Sequence, residues 1–397
     1  MPWLSYTSIM YERLIYEMVD KIIFTVTPIF SIPPRGAAAV ETWMYQVAQR
    51  TNFPNRIVCI KNPGYSNYTF VNDNCSIHRV GFSRIYKRLF QKWTRLDPLP
   101  YSQRILNIAH DFPITKESVI VVHNSMKLYT QIRKRAPQAR VVIHMHNAFE
   151  PKLLEQNVKM IVPSLYLKKY YQSYLANADI EIVPNGIDLE TYQSNFQPIT
   201  RSELNISPEE KIIFYAGRIV PDKGILLLMQ SFEKLAAAHK NLKLVVIGDY
   251  TEMSKSDKGA YQRNVREIAK RLKDRCIMLG SIPPEKMHCY YPLADLVVIP
   301  SQFQEPFCMV AIEAMGAGKP VLVSTRGGMT EFVKENTTGF HLKEPMTADS
   351  ISSDILKTLA NPELTAVAKQ GQDFVFDHYS WDGVTQRFEE VIHNWFE

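Results

Sequence analysis

Residues 211–239 read KIIFYAGRIVPDKGILLLMQSFEKLAAAH, and the reading of this stretch decides the fold. KIIFYAG is a short β-branched run with no polar alternation, the pattern of a strand covered on both faces. From Ile225 to His239 the apolar residues return at helical spacing, so a helix is expected there. Arg218 stands just beyond the strand and Lys223 five positions later, before Gly224. Two cations in a strand-to-helix turn suit a diphosphate, because the helix N-terminus adds its own positive end. Two solvated surface cations would give the same letters, so the neighbouring motifs must decide.

The same alternation recurs on both sides. KIIFTVTP, RIVCI, SVIVVH, RVVIHMH, KMIVPS and IEIVPNG precede it, and LKLVVIGD, RCIMLG, DLVVIPS, KPVLVS and TGFHL follow. Short apolar strands separated by amphipathic segments predict buried parallel sheets. Two such sets, in a chain of 397 residues, predict two doubly wound domains. The Asn-Gly turn of VPNGID (183–188) is the expected hinge. The expected domains are 18–185 together with 380–397, and 186–379. Residues 1–17 read as an appendage ahead of a working start at Met18. YSWDGVTQRFEEVIHNWF (379–396) predicts a final amphipathic helix that either packs locally or crosses back to brace the first domain.

Composition narrows the class. The chain is 46% hydrophobic and 22% charged, ordinary for a globular protein. It has no apolar run of membrane-spanning length, and residues 1–17 lack the basic and apolar regions of a signal peptide. Five scattered cysteines without a CxxC argue against a disulfide framework or a zinc site and favour a reducing cytoplasm. Residues 1–185 hold 23 Lys and Arg against 12 Asp and Glu, whereas residues 186–397 hold 23 against 28. A basic first half suggests an anionic partner: a phosphorylated substrate, a membrane surface or nucleic acid.

Several residues are candidates for chemistry. FQEPFCMVAIEAMGAGKP (303–320) carries Glu305 and Glu313 at the two ends of an apolar, helix-prone stretch. Pro306 is placed to open the helix, and eight helical residues rise about 12 Å. With Glu305 in the preceding loop, both carboxylates can reach one elongated ligand. A carboxylate accepts two hydroxyls at once, so Glu313 suits a ribose and Glu305 a sugar. After the first strand, IPPRGAAAVE offers Gly36 and small neighbours that let a backbone approach an anion. HMHN places His144 and His146 on one side of a strand end. As metal ligands these two lack companions, and no metal site is expected. SRIYKRLFQKWTRL (83–96) spaces Arg84, Lys87, Arg88, Lys92 and Arg95 helically around Trp93, which suits a phosphate-bearing or membrane surface. No nucleic-acid-binding motif accompanies it.

The order of these pieces is more telling than any one of them. A Gly loop after strand one, a strand-end His, NGID, GRxxxxKG, E-P-F-x5-E and AMGAGKPVLVSTRGGMTEFV occur in sequence. From about Lys21 onward the chain resembles the retaining GT-B glycosyltransferases of family 4. The resemblance implies an α/β GT-B fold, with two doubly wound Rossmann-like domains facing a cleft and a C-terminal helix crossing back to the first. It further implies that the first domain binds acceptor and the second binds nucleotide sugar.

By position, the resemblance gives Arg218 and Lys223, beside Gly217, the diphosphate, and Glu313 the ribose. It gives Glu305 the donor-sugar hydroxyls, the backbone of Phe307, Cys308 and Met309 the sugar and phosphate, and His146 the donor sugar. Gly36 would line the site near the diphosphate and acceptor. Retention in this family is thought to need no metal and no protein nucleophile, so catalysis would be orientation and charge stabilisation. KIIFTVTPIFSIPPRGAAAVETW, YKRLFQKWTRLDPLPYSQRILNI and HNSMKLY resemble the members that build bacterial lipopolysaccharide core. These imply UDP-N-acetylglucosamine as donor, an outer-core glucose as α-1,2 acceptor, and a peripheral place on the cytoplasmic face of the inner membrane. UDP-glucose, UDP-galactose or a heptose nucleotide remain alternative donors, and a non-catalytic nucleotide-sugar or lipopolysaccharide-binding protein is the rival of another class. Two departures stand out: Arg35-Gly36-Ala37 where many relatives have Gly-Gly, and Gly248-Asp249-Tyr250 where many have Gly-x-Gly.

Overall fold

The computed structural model describes residues 19–26, 29–36, 38–81, 100–108, 112–194, 196–249 and 258–396. The chain forms two compact units. One runs to Asn185 and takes in Trp381–Glu397, and the other is Gly186–Ser380. Residues 1–17 and the basic stretch with Arg84, Lys87, Arg88, Lys92, Trp93 and Arg95 lie outside the described residues.

The first unit begins with β1 (Lys21–Val26), α1 (Ala39–Arg50), β2 (Asn55–Ile60), β3 (Tyr68–Asn72), β4 (Cys75–Val80) and α2 (Tyr101–Ile108). It continues with β5 (Ser118–His123), α3 (Met126–Arg135), β6 (Arg140–His144), β7 (Lys159–Val162), α4 (Leu165–Gln172) and β8 (Asp179–Ile182). Among the described residues these strands make one sheet in the order β3-β4-β2-β1-β5-β6-β7-β8. Its pairs are parallel except β3 on β4. Ile22, Ile23 and Phe24 of β1 are fully buried between β2 and β5, which is why the strand reads as continuously apolar. The strand order reverses there, so the turns after β1 and β5 open a crevice at the carboxyl edge. Strands β3 and β4 were not expected. CSIHRV half-exposes Ser76 and His78, so β4 shows no continuous apolar run, and β3 is a short edge strand.

The second unit contains α5 (Leu189–Gln193), β9 (Lys211–Ala216), α6 (Ile225–Ala238), β10 (Leu242–Ile247), α7 (Lys258–Leu272) and β11 (Cys276–Gly280). After these come β12 (Leu296–Ile299), α8 (Met309–Gly316), β13 (Val321–Val323), β14 (Phe340–His341), α9 (Ala348–Leu359) and α10 (Leu364–His378). Its sheet runs β11-β10-β9-β12-β13-β14 and is parallel throughout. Again the order reverses at the first strand, β9, and the turns after β9 and β12 flank the crevice. Ser380 closes this unit by bridging Ile187, one residue beyond the expected boundary.

The last helix, α11 (Trp381–Phe396), belongs to the first unit. Its apolar face, with Trp381, Val384, Phe388 and Ile392, joins a core with Phe24 and Trp43. Phe388 meets Trp43 edge-on at 5.6 Å. Glu389 accepts hydrogen bonds from Thr51 Oγ1 (2.7 Å) and the Asn52 amide (2.6 Å) just past α1. All five cysteines are free. Among the described residues no helix is long and apolar enough to cross a membrane.

Candidate active site

The turn after β9 is shaped by close backbone approaches. Gly224 has φ +70°, and a Cβ there would stand 1.9 Å from the Pro300 carbonyl oxygen. A Cβ on Gly248, after β10, would stand 1.9 Å from the Gly217 carbonyl oxygen. Only glycine fits either place. The Gln302 amide donates to the Asp222 carbonyl at 2.7 Å, lacing this turn to the loop after β12. Tyr215 donates its hydroxyl to the Arg218 carbonyl at 3.1 Å, fixing the turn from below. Arg218 itself is exposed, and no carboxylate pairs with it among the described residues. Its guanidinium is therefore available to an anion.

Lys223, five residues on, is half-buried. Its Nζ donates to Glu305 Oε1 at 2.6 Å and lies 4.8 Å from the centre of the Phe303 ring. Glu305 is buried, and its Oε1 also accepts from Ser301 Oγ at 2.6 Å. A buried carboxylate needs such partners, because the desolvation of an unpaired charge is prohibitive. Both donors converge on Oε1, and no hydrogen bond reaches Oε2 among the described residues. Ser301 was not foreseen from the sequence, although it ends the β12 run four residues ahead of Glu305.

Pro306 does not open the helix, contrary to expectation. Glu305 instead forms a parallel bridge with Gly327, and the Gly328 amide donates to the Glu305 carbonyl at 2.7 Å. This pairing holds 305 extended and delays α8 to Met309. Cys308 precedes it with φ 90°, outside the usual range for a side-chain-bearing residue. Phe307 is buried against Phe332 and Tyr379, with ring centres 5.2 and 5.5 Å away.

One and a half turns into α8, Glu313 receives the Tyr291 hydroxyl on Oε2 at 2.7 Å. Among the described residues no cation pairs with it, and burial pushes its carboxyl up to about 7. Tyr291 comes from a short turn 22 residues upstream and carried no sequence signal. The second unit thus unites Arg218, Lys223, Glu305 and Glu313 on two adjacent loops and one helix. Chemically, cations can meet an anion and carboxylates can accept from hydroxyl groups.

The first unit carries the remaining candidates. Gly36 lines a cavity of about 280 Å³ with Phe30, Ser31, Arg35, Asn62 and Tyr65. Arg35 spans it, donating Nη2 to the Gly64 carbonyl at 2.8 Å and lying 4.4 Å over the Tyr65 ring. His144 and His146 stack with ring centres 3.9 Å apart, and His146 Nε2 lies 3.2 Å from His123 Nδ1. The expectation that these histidines lack a companion is therefore corrected. His123 ends β5 as His144 ends β6, and the strand-end signal was present in SVIVVH but unused.

Comparison with known proteins completes the description. The family model for Glycosyl transferases group 1 matches residues 196–373. The lipopolysaccharide 1,2-N-acetylglucosaminetransferase of Salmonella typhimurium strain LT2 is 57% identical over 380 residues, covering 96% of this chain and all of that one. Among solved structures, sucrose-phosphate synthase from Thermosynechococcus elongatus superimposes with a TM-score of 0.74 at 19% identity, over 95% of this chain and 99% of the other. Anabaena HepE, solved with UDP and glucose, gives 0.70 at 16% identity, over 93% and 98%. At such identities these two speak for the fold alone.

Proposed function

The chain belongs to the group 1 glycosyltransferases, and from that premise we propose that it moves N-acetylglucosamine from UDP-N-acetylglucosamine to a lipopolysaccharide outer-core glucose, forming an α-1,2 linkage with retention. The observation that carries the proposal is the end-to-end likeness to the Salmonella enzyme, together with an intact set of Arg218, Lys223, Glu305 and Glu313. In this reading the second unit, Gly186–Ser380, holds the nucleotide sugar and the first holds the acceptor.

Arg218 and Lys223 neutralise the diphosphate, which must leave with its negative charge. Glu313 accepts the ribose hydroxyls, and Glu305 Oε2 accepts those of the donor sugar. Gly217 and the backbone of Phe307, Cys308 and Met309 border the sugar and phosphate. Within the first unit, Gly36 is assigned to the acceptor and His146 to a donor-sugar contact. Transfer needs no metal at the diphosphate, because the two side-chain cations take that role. The acceptor hydroxyl attacks on the face from which the diphosphate leaves, and a diphosphate oxygen takes its proton. Catalysis is then orientation and charge stabilisation.

The chain works on the cytoplasmic face of the inner membrane in this proposal, held there by Arg84, Lys87, Arg88, Lys92, Trp93 and Arg95. Neutralising Lys87, Arg88 and Lys92 is expected to weaken binding to lipopolysaccharide or anionic vesicles and to spare hydrolysis of the soluble donor. Unchanged binding would overturn that part.

The deciding experiment offers a panel of radiolabelled nucleotide sugars, without added metal, to the purified protein and lipopolysaccharide lacking the terminal N-acetylglucosamine. Transfer from UDP-N-acetylglucosamine alone, lost in Glu305→Ala, is the expected result. Transfer only from UDP-glucose, UDP-galactose or a heptose nucleotide would replace the donor and keep the mechanism. Donor binding without any transfer would favour the non-catalytic reading.

A further inference from the structure

Three imidazoles meet inside the first unit, at the carboxyl ends of β5 and β6. His123 ends one strand, His144 ends the other, and His146 follows two residues on. His123 and His144 are fully buried, and His146 is 7% exposed. One ring nitrogen from each lies within 4.8 Å of the other two. The only polar contact among the rings is the 3.2 Å approach of His123 Nδ1 to His146 Nε2. His123 Nε2, both nitrogens of His144 and Nδ1 of His146 are buried with no hydrogen-bond partner among the described residues.

Unpaired buried polar atoms in such number call for an explanation, since nearly all such atoms in folded proteins are satisfied. Packing alone does not supply one. The Trp43 ring meets His144 edge-on at 4.3 Å, and a phenylalanine would fill that space without stranding two nitrogens. Nor, among the described residues, do carboxylates or backbone carbonyls orient these rings, which is how a structural histidine is usually held.

We propose that His123, His144 and His146 together bind one divalent ion of the Zn²⁺ class. Three neutral imidazoles, with no thiolate or carboxylate, suit a borderline first-row ion and not Mg²⁺ or Ca²⁺. Nitrogens at about 2.0–2.1 Å from a tetrahedral ion stand about 3.3 Å apart, close to the observed 3.2 Å between His123 and His146. In the metal-free protein one of these two rings must donate a proton to the other. Coordination moves that proton to the ring's far nitrogen, so both lone pairs reach the ion and no proton is lost. Burial keeps all three rings neutral, with His146 down to about 3, so protons do not compete for the lone pairs near neutral pH. The ion ties the end of β5 to the end of β6 beneath α1. It belongs to the first unit, whereas the cations proposed for the diphosphate belong to the second. His146 also figures in the transferase reading, so the test reads metal content, spectrum and melting, and not transfer.

The test uses the untagged full chain, stripped by chelator and then supplied with Zn²⁺ or Co²⁺. Metal content after gel filtration is expected near one ion per chain. Co²⁺ should develop the visible ligand-field bands of a nitrogen-ligated site, unlike those of the hydrated ion. Tryptophan fluorescence reports the first unit alone, since all five tryptophans lie outside Gly186–Ser380. Its melting temperature should rise by about 5 °C with Zn²⁺. His144→Phe should lose the ion and the shift while keeping its circular dichroism. No uptake by the wild type, or Co²⁺ bands absent from it, overturns the proposal whether or not the variant folds. Equal binding by wild type and a folded His144→Phe also overturns it, because the ion would then sit elsewhere.

Discussion

Glu313 is a carboxyl that folding discourages from ionising. Its solution value of 4.5 rises to about 7 because burial outweighs the hydrogen bond from Tyr291. A group raised in the folded state supports folding fully below its unfolded value and loses that support as pH climbs through 7. Glu313→Gln is therefore expected to be more stable than wild type at pH 8, by up to about 3 kcal/mol, with the difference vanishing near pH 4. Thermal melts across pH would check this, and a constant difference would contradict it. In the proposed ribose-binding role the ionised form is the stronger acceptor, so UDP affinity of the wild type should fall as pH drops below 7, and calorimetry can follow it. Ser301 offers a separate test. It shares Glu305 Oε1 with Lys223, so Ser301→Ala should lower kcat/KM about tenfold, in line with a loss near 1.5 kcal/mol, while UDP binding holds. Ser301→Thr should restore most of the rate. At this scale the charged residues were legible, because their spacing and order carry the signal. Ser301, Tyr291 and His123 were not, because each acquires meaning only from a partner on another segment.

Turns, more than helices or strands, decide where this site's groups stand. Gly224 joins a left-handed backbone to a backbone neighbour that cannot move aside, whereas Gly280 has φ +73° and open space around its Cα. Gly280→Ala should cost about 1 kcal/mol for its backbone angle alone. Gly224→Ala adds overpacking and should cost about 3 kcal/mol or more, with weakened UDP binding. Urea unfolding of the two variants separates these terms, and equal losses would show that the Pro300 contact yields freely. The same backbone pairing explains where sequence reasoning slipped. Pro306 looked like a helix start, but Glu305 is held by a bridge to Gly327, a loop residue more than 20 positions later. Strands β3 and β4 escaped notice for a kindred reason: β3 is a short edge strand and its neighbour β4 alternates, whereas the continuous apolar signature belongs to strands covered on both faces.

Across the whole chain, the final helix is the longest-range decision. α11 leaves Gly186–Ser380 and completes the core around Trp43 and Phe24. Phe388→Ala is expected to destabilise the first unit by about 3–5 kcal/mol. Tryptophan fluorescence should show that loss, while UDP binding by the second unit persists below the transition. Loss of UDP binding at the same denaturant concentration would show the two units to unfold together.

Two α/β units, the pair of cations after β9 and the pair of carboxylates around α8 could be read from the chain, because buried strands and strand-to-helix turns rest on local composition and short spacing. What tertiary structure alone decided was which atoms pair: Lys223 and Ser301 on one oxygen of Glu305, Tyr291 on Glu313, and three histidines from two strand ends in one dry cluster. Those pairings follow from strand register and loop closure, which bring together side chains that no local pattern connects. Burial then sets their charge, and burial is a property of the whole fold.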